Sequence, residues 1–209
     1  MAGYGSALAG VPAPRTVIDL GANAGWFEVW LAHQTRSRAF RSLLVEADPR
    51  LVREAQWHLR VNRLAGRVVH GAAGVGSGQL TVPFFVSPSA SQSSLREEDG
   101  SGLRLPPKGA RREVWVPVIS VEEEWQQCCG ESRVDLLKVD IEGAEADFFK
   151  VEGAFVARKV RRIVVEWDKW MTDGHDLQRQ LEALSFKKSC VVKEDHRTGV
   201  AVFDASEPH

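Results

Sequence analysis

Cysteine is scarce and badly spaced for cross-linking: the 209-residue chain has three, with Cys128 and Cys129 adjacent and Cys190 alone, and no CxxC pair. That pattern excludes a disulfide framework and a cysteine-built zinc site, and it fits a reducing compartment. Net charge is nearly absent too, since 27 Lys and Arg stand against 28 Asp and Glu for a formal -1. Such a balance gives no overall attraction to nucleic acid or anionic lipid. No apolar run approaches the roughly 18 residues of a membrane span, and Met1-Ala2-Gly3-Tyr4-Gly5-Ser6 puts no basic region ahead of an apolar stretch. A cytoplasmic protein is expected, with no nucleic-acid partner and no membrane span. What is present is ordinary for a globular chain: 44% hydrophobic and 26% charged residues, in a length that suits one domain with a sizeable core. Residues 1–14 are expected to be a flexible segment ahead of it.

Thr16-Val17-Ile18-Asp19-Leu20 is a β-branched run stopped by Gly21, and Ala24 to His33 suits a helix, so a strand passes into a helix through a glycine loop. Ser42 to Glu46 repeats the pattern, and Asp48-Pro49 caps and opens a helix to about Leu64. Val68 to His70 and Leu80 to Val86 read as further strands. Ser87 to Arg112, rich in Ser, Gly, Pro and charge, reads as a lid or a disordered insertion. A strand over Val114 to Ile119 leads to Ser120-Val121-Glu122-Glu123, a capping box that starts a helix to about Cys128. Val134 to Ile141 and Arg162 to Glu166 are strands, with helices around Ala144 to Phe149 and Leu177 to Leu184. Lys187 to Val192 and Gly199 to Asp204 would close the sheet as a terminal hairpin. The alternation predicts an α/β sandwich with a mainly parallel sheet.

Three stretches carry chemistry. In Asp19-Leu20-Gly21-Ala22-Asn23-Ala24-Gly25, Gly21 and Gly25 admit a ligand close to the backbone, and the following helix offers amides to a negative group. Asn23 stands where a dinucleotide fingerprint needs its middle glycine, and Asp19 is a poor neighbour for pyrophosphate. A carboxylate there suits a cofactor bearing an ammonium or sulfonium, such as S-adenosylmethionine. Glu46, ending the second strand, is placed to accept both hydroxyls of an adenosine ribose. Lys138, Asp140 and Glu142 alternate on an otherwise apolar strand and are expected to share one face at its carboxyl end, where Lys138 and Asp140 would neutralise each other.

The stretch Val17 to Phe27, the stretch Val45-Glu46-Ala47-Asp48-Pro49, Ser93-Ser94-Leu95 and above all Leu137-Lys138-Val139-Asp140-Ile141-Glu142-Gly143-Ala144-Glu145 resemble the FkbM family of S-adenosylmethionine-dependent methyltransferases. The resemblance implies a Rossmann-like class I methyltransferase fold, with a seven-stranded sheet, an antiparallel last strand and helices on both faces. It further implies methyl transfer to a hydroxyl oxygen of a small molecule, glycan or lipid-type acceptor. On these positions Asp19, Gly21, Asn23 and Gly25 would surround the methionine end, Glu46 the ribose, Asp140 and Glu142 the floor near the reacting centre, and Ala72 and Ala73 the adenine. Family members often carry a histidine two residues after the acid that ends the next strand; here Asp168 stands there.

An aliphatic hydroxyl must lose its proton during attack, and Glu142, Glu166 and His175 are the candidate acceptors. Asp140, Glu166 and Asp168 fall near neighbouring strand ends and would be the set to hold a divalent metal. Trp167 and Trp170 are candidates for a sugar or aromatic substrate surface, whereas Trp115 and Trp125 are expected in the core. Two other functions compete: a non-catalytic scaffold that keeps the fold, and an NAD-dependent oxidoreductase, which needs the pyrophosphate room that Asn23 and Asp19 deny.

Overall fold

The computed structural model describes residues 4–8, 11–74, 79–87 and 112–206. Its first βα unit is β1 (Thr16–Leu20) and α1 (Trp26–Thr35), followed by β2 (Arg41–Glu46), α2 (Pro49–Asn62) and β3 (Ala65–His70). Two short strands come next, β4 (Thr81–Val86) and β5 (Arg112–Pro117), then α3 (Val121–Cys129) and β6 (Leu136–Val139). The chain continues through α4 (Glu145–Val151), α5 (Gly153–Lys159), β7 (Arg162–Asp168), α6 (Gly174–Ala183) and the hairpin β8 (Phe186–Glu194) and β9 (Thr198–Ala205).

Among the described residues, seven strands form one sheet in the order β3-β2-β1-β6-β7-β9-β8. The five on the β3 side run parallel, while β9 lies antiparallel to β7 and to β8. Both faces are covered, which is why β1, β2, β6 and β7 are nearly continuous apolar runs and not alternating ones. One core layer packs Trp125, Phe148, Phe149, Phe155 and Leu181, from α3 to α6, against one side of the sheet. The other packs Phe27, Leu31, Ala55 and Leu59, from α1 and α2, against the opposite side. The chain builds outward from β1 to β2 and β3, then returns to place β6 on the other flank of β1. Ligands of open α/β sheets sit outside the carboxyl ends of the strands at such a reversal.

Several expectations are corrected here. The strand read over Leu80 to Val86 stands apart from the main sheet: among the described residues β4 pairs only with β5, in a separate antiparallel ribbon with Phe84 opposite Val114. Within the 1–14 segment expected to be flexible, Tyr4–Leu8 form a 3-10 helix, and the buried Tyr4 ring meets Phe27 and Trp30 edge-on at 5.8 and 6.0 Å. Trp125 is fully buried, but Trp115 lies on the outer face of the ribbon and is 64% exposed. The Ser120 hydroxyl does accept from the Glu123 amide at 3.3 Å. The amide of Val121, however, is satisfied by Glu152 Oε1 at 2.8 Å, from a residue that the sequence pattern did not connect with this cap. The expected lid over 87–112, with Ser93-Ser94-Leu95, lies outside the described residues except at its ends. No helix among the described residues is long and apolar enough to cross a membrane.

Candidate cofactor cleft and active site

A cleft of about 650 Å³, open solvent included, lies at the reversal point between β1, β2 and β6. Gly21, Asn23, Glu46, Ala72, Ala73, Asp140 and Glu142 all line it, so the structure gathers seven of the sequence-predicted residues in one place.

The glycine loop is shaped by contact as well as by conformation. Gly21 has φ +71°, and a Cβ there would run into the carbonyl oxygen of Asp140. The two loops that follow β1 and β6 therefore touch through bare backbone. Asn23 takes a left-handed φ of +52°, which asparagine tolerates better than most residues. Its side-chain Oδ1 accepts from the Ala24 amide at 2.7 Å, and its own amide donates to Glu46 Oε2 at 2.7 Å. Glu46 Oε1 accepts from the amide of Asp48, also at 2.7 Å. Burial raises the proton affinity of Glu46 and these two amides partly counter it. Each carboxylate oxygen keeps a second lone pair for a ligand hydroxyl. The Asp48 side chain in turn caps α2 by accepting from the Arg50 amide at 2.9 Å, as expected from the Asp-Pro pair.

Gly25 is not part of the cleft wall. It is buried at the start of α1 with φ +74°, and a Cβ there would press on Ala55 and Leu44, so it sets the approach of α1 to α2 and the sheet. Asp19 does not line the cleft either. It is fully buried beneath it, where Lys138 Nζ donates to Asp19 Oδ1 at 2.9 Å and to the Gly21 carbonyl at 3.2 Å. Strand register explains the pairing, because Asp19 on β1 lies opposite Lys138 on β6. Lys138 also reaches Asp140 Oδ2 at 3.5 Å, and that carboxylate is one-third exposed at the cleft. The expected Lys138–Asp140 pair is present, with Asp19 the closer partner.

Beyond Val139 the strand ends, so Glu142 does not continue the alternation of Lys138 and Asp140. It sits in a turn with φ +52°, followed by Gly143 at φ +93°, and Glu145 Oε1 fastens that turn by accepting from the amides of Ile141 and Gly143 at 3.2 and 3.0 Å. Burial, then the charges of Asp140 and Asp168, push Glu142 up to about 9, and its carboxyl hydrogen-bonds Asp168. Glu166 sits on β7 and accepts from the Tyr4 hydroxyl at 2.6 Å, outside the cleft lining. Its proton affinity is raised by burial and by Asp140.

His175 is exposed at the start of α6 and lies on a different cleft, between α6 and the terminal hairpin, with Trp167 and Trp170. The structure does not bring these three residues to the cleft that holds Glu46 and Asp140. Asp140, Glu166 and Asp168, the candidate set for a divalent metal, are not brought together for that purpose: among the described residues no three His, Cys, Asp or Glu side chains are so grouped. Phe84, Leu51 and Ile141 also line the cleft, and sequence reasoning missed them. The alternation Val82, Phe84, Val86 was the available signal for Phe84, but it does not say which surface the buried face meets.

The residues present suit S-adenosylmethionine. Glu46 offers acceptor capacity at the end of β2, Phe84 and Leu51 supply apolar wall, and Gly21, which has no side chain, and the Asp140 carboxylate face the same space.

Comparison with known proteins bears on the fold and the lineage. The sequence profile of the Methyltransferase FkbM domain matches residues 19–188. Methyltransferase sdnD of Sordaria araneosa is 26% identical over 208 aligned residues, spanning 90% of this chain and 78% of that protein. The crystal structure of Methyltransferase FkbM from Methylobacillus flagellatus superposes with a TM-score of 0.61 at 15% identity, over 95% of this chain and 45% of the other. TrmK of M. capricolum, solved with S-adenosyl-homocysteine, superposes with a TM-score of 0.52 at 8% identity, over 92% of this chain and 62% of the other. At such identities the solved structures speak for the shared Rossmann-like fold, and the profile match over most of the chain settles the lineage. The chain belongs to the FkbM methyltransferase family, a family of S-adenosylmethionine-dependent enzymes.

Proposed function

We propose that this protein transfers a methyl group to a hydroxyl oxygen of a small-molecule, sugar or lipid-type acceptor, with the cleft beside β1, β2 and β6 as its cofactor site. S-adenosylmethionine, when bound, supplies a methyl group activated on a sulfonium. Glu46 would hold the ribose hydroxyls, Phe84, Leu51, Ala72 and Ala73 would flank the adenine, and Gly21 and Asp140 would line the methionine end. Asp19 acts from below, through Lys138, because it is sealed from the cleft.

The observation that supports oxygen as the acceptor atom is the Glu142–Asp168 carboxyl pair next to Asp140. Glu142, at about 9, keeps its proton at neutral pH and shares it with Asp168. A pair that shares one proton still carries one anionic oxygen, so a hydroxyl entering beside it can pass its proton to that oxygen as it attacks. General-base assistance of this kind is worth about 3–5 kcal/mol, against about 7–11 kcal/mol from holding nucleophile and methyl in line. Most of the acceleration should therefore come from the walls that position the two groups.

The test is a thermal-shift series with S-adenosylmethionine, S-adenosyl-homocysteine and NAD, followed by acceptor trials. A ligand at 100 times its Kd adds about 2.7 kcal/mol, which in a chain of this size is a rise of about 5–11 °C. Stabilisation by the two adenosyl ligands and not by NAD is expected. Incubation with S-adenosylmethionine and a panel of polyols, glycosides and phenols should then give O-methyl products that Asp140→Asn fails to form. Stabilisation by NAD alone, or products methylated only on nitrogen, would refute the proposal.

A further inference from the structure

We infer that Glu28 is a positioning residue of the cofactor cleft, a buried carboxylic acid whose hydroxyl donates to Asp19 and so fixes the chain Asp19–Lys138–Asp140 that ends at the cleft wall. The inference rests on the cleft being the cofactor site.

Glu28 is the one charged residue in the opening of α1, Trp26-Phe27-Glu28-Val29-Trp30-Leu31, and it is 0% exposed. Neither of its oxygens meets a donor, and among the described residues no cation pairs with it. Asp19 is also 0% exposed; Oδ1 takes the Lys138 ammonium, while Oδ2 has no donor. The two carboxyl groups lie within hydrogen-bonding reach of each other.

Two carboxylates facing each other in a dry interior cannot both ionise, and each would leave an oxygen unpaired. One proton between them satisfies Asp19 Oδ2 and removes the second charge. Lys138 decides which of the two keeps it. The ammonium sits on Asp19, so Asp19 carries the charge and Glu28 the hydrogen, and burial together with the Asp19 charge holds the Glu28 carboxyl well above the ordinary range. The other titratable groups around this chain are Asp140 at the end of β6, Glu166 on β7 and Tyr4 on the first helical turn.

The consequence reaches the cleft in three steps. The Glu28 hydroxyl fixes the plane of the Asp19 carboxylate, and Asp19 fixes Lys138 Nζ. Lys138 in turn holds the Gly21 carbonyl at 3.2 Å and Asp140 Oδ2 at 3.5 Å, and Gly21 and Asp140 both line the cleft. Without the donor, Asp19 would be free to turn and the ammonium would lose its fixed partner.

Two variants of the full chain separate this role from simple packing. Glu28→Gln keeps an N–H aimed at Asp19, whereas Glu28→Leu fills similar volume without a donor. Calorimetric titration with S-adenosyl-homocysteine should give a Kd within about threefold of wild type for Glu28→Gln and at least about tenfold weaker for Glu28→Leu. The infrared difference spectrum of wild type minus Glu28→Gln at pH 7 should contain the carbonyl stretch of a protonated carboxylic acid. Absence of that band, or equal affinity in the two variants, overturns the inference; if Glu28→Leu fails to fold, the band alone decides. Wild-type protein that binds no S-adenosyl-homocysteine would remove the cleft assignment itself, and this inference with it.

Discussion

Replacing Glu46 by Gln separates ligand binding from folding within one side chain. In the free protein the carboxylate accepts the amides of Asn23 and Asp48, both at 2.7 Å. Glutamine keeps one acceptor and turns an NH2 toward the other amide, a loss that in isolation costs about 1–3 kcal/mol. The same change removes a buried charge, and burial is the largest influence on Glu46, raising its proton affinity. The two effects oppose each other, so the Tm of the free protein should move by no more than about 4 °C, the equivalent of roughly 1 kcal/mol at this size. No such offset exists for the ligand. Two ribose hydroxyls would give up charge-assisted bonds worth about 1.5–3 kcal/mol together, which at about 1.4 kcal/mol per decade weakens S-adenosyl-homocysteine about 10- to 100-fold. The assay is calorimetry for Kd and a thermal melt with and without ligand. At a fixed saturating ligand concentration the rise in Tm should be about 3–10 °C smaller than in wild type. An unchanged Kd would refute the placement of the ribose on Glu46 however the melting curve behaved.

Further outcomes follow from the same geometry. Gly21→Ala forces a side chain into a left-handed position and against the Asp140 carbonyl, so the free protein should lose about 2–5 kcal/mol in urea unfolding and ligand-induced stabilisation should vanish. Glu142 has its proton affinity raised from the ordinary 4.5 to about 9, so its stabilising effect is complete below 4.5 and is lost as the pH rises through about 9. Urea midpoints of wild type should fall across that interval more steeply than those of Glu142→Gln, and parallel slopes would contradict the shift. His175→Ala should leave turnover within about twofold, because the residue is exposed on the cleft beside the terminal hairpin; a hundredfold loss, the usual mark of a missing acid or base, would return it to the site.

Much of this arrangement was legible in the chain. The strand, glycine loop and helix around Gly21, the acid ending β2, and the Asp48-Pro49 cap are local signals, and each appears where the pattern puts it. Burial was not legible. Alternation along Val17 to Leu20 or Leu137 to Asp140 says which residues share a face, but in a parallel sheet both faces are covered, so Asp19 and Lys138 look the same whether they border a ligand or lie under it. Glu28 is marked in the sequence as a single carboxyl among apolar neighbours, a pattern that suits a buried acid as well as a solvated one. The fate of β4 depended on partners distant in sequence, and α5 was hidden because Gly153 and the basic residues Arg158 and Lys159 resemble a loop. His175 entered as a candidate on chemistry alone, and nothing in a sequence tells on which side of a sheet a later helix will lie.

The touch between Gly21 and the Asp140 carbonyl joins segments more than a hundred positions apart. A nascent polypeptide that has completed only its early crossovers would own half of a binding wall and retain no nucleoside. Cofactor capture would thus report closure of the central strand pair, making ligand retention a gauge of whether the whole architecture has assembled.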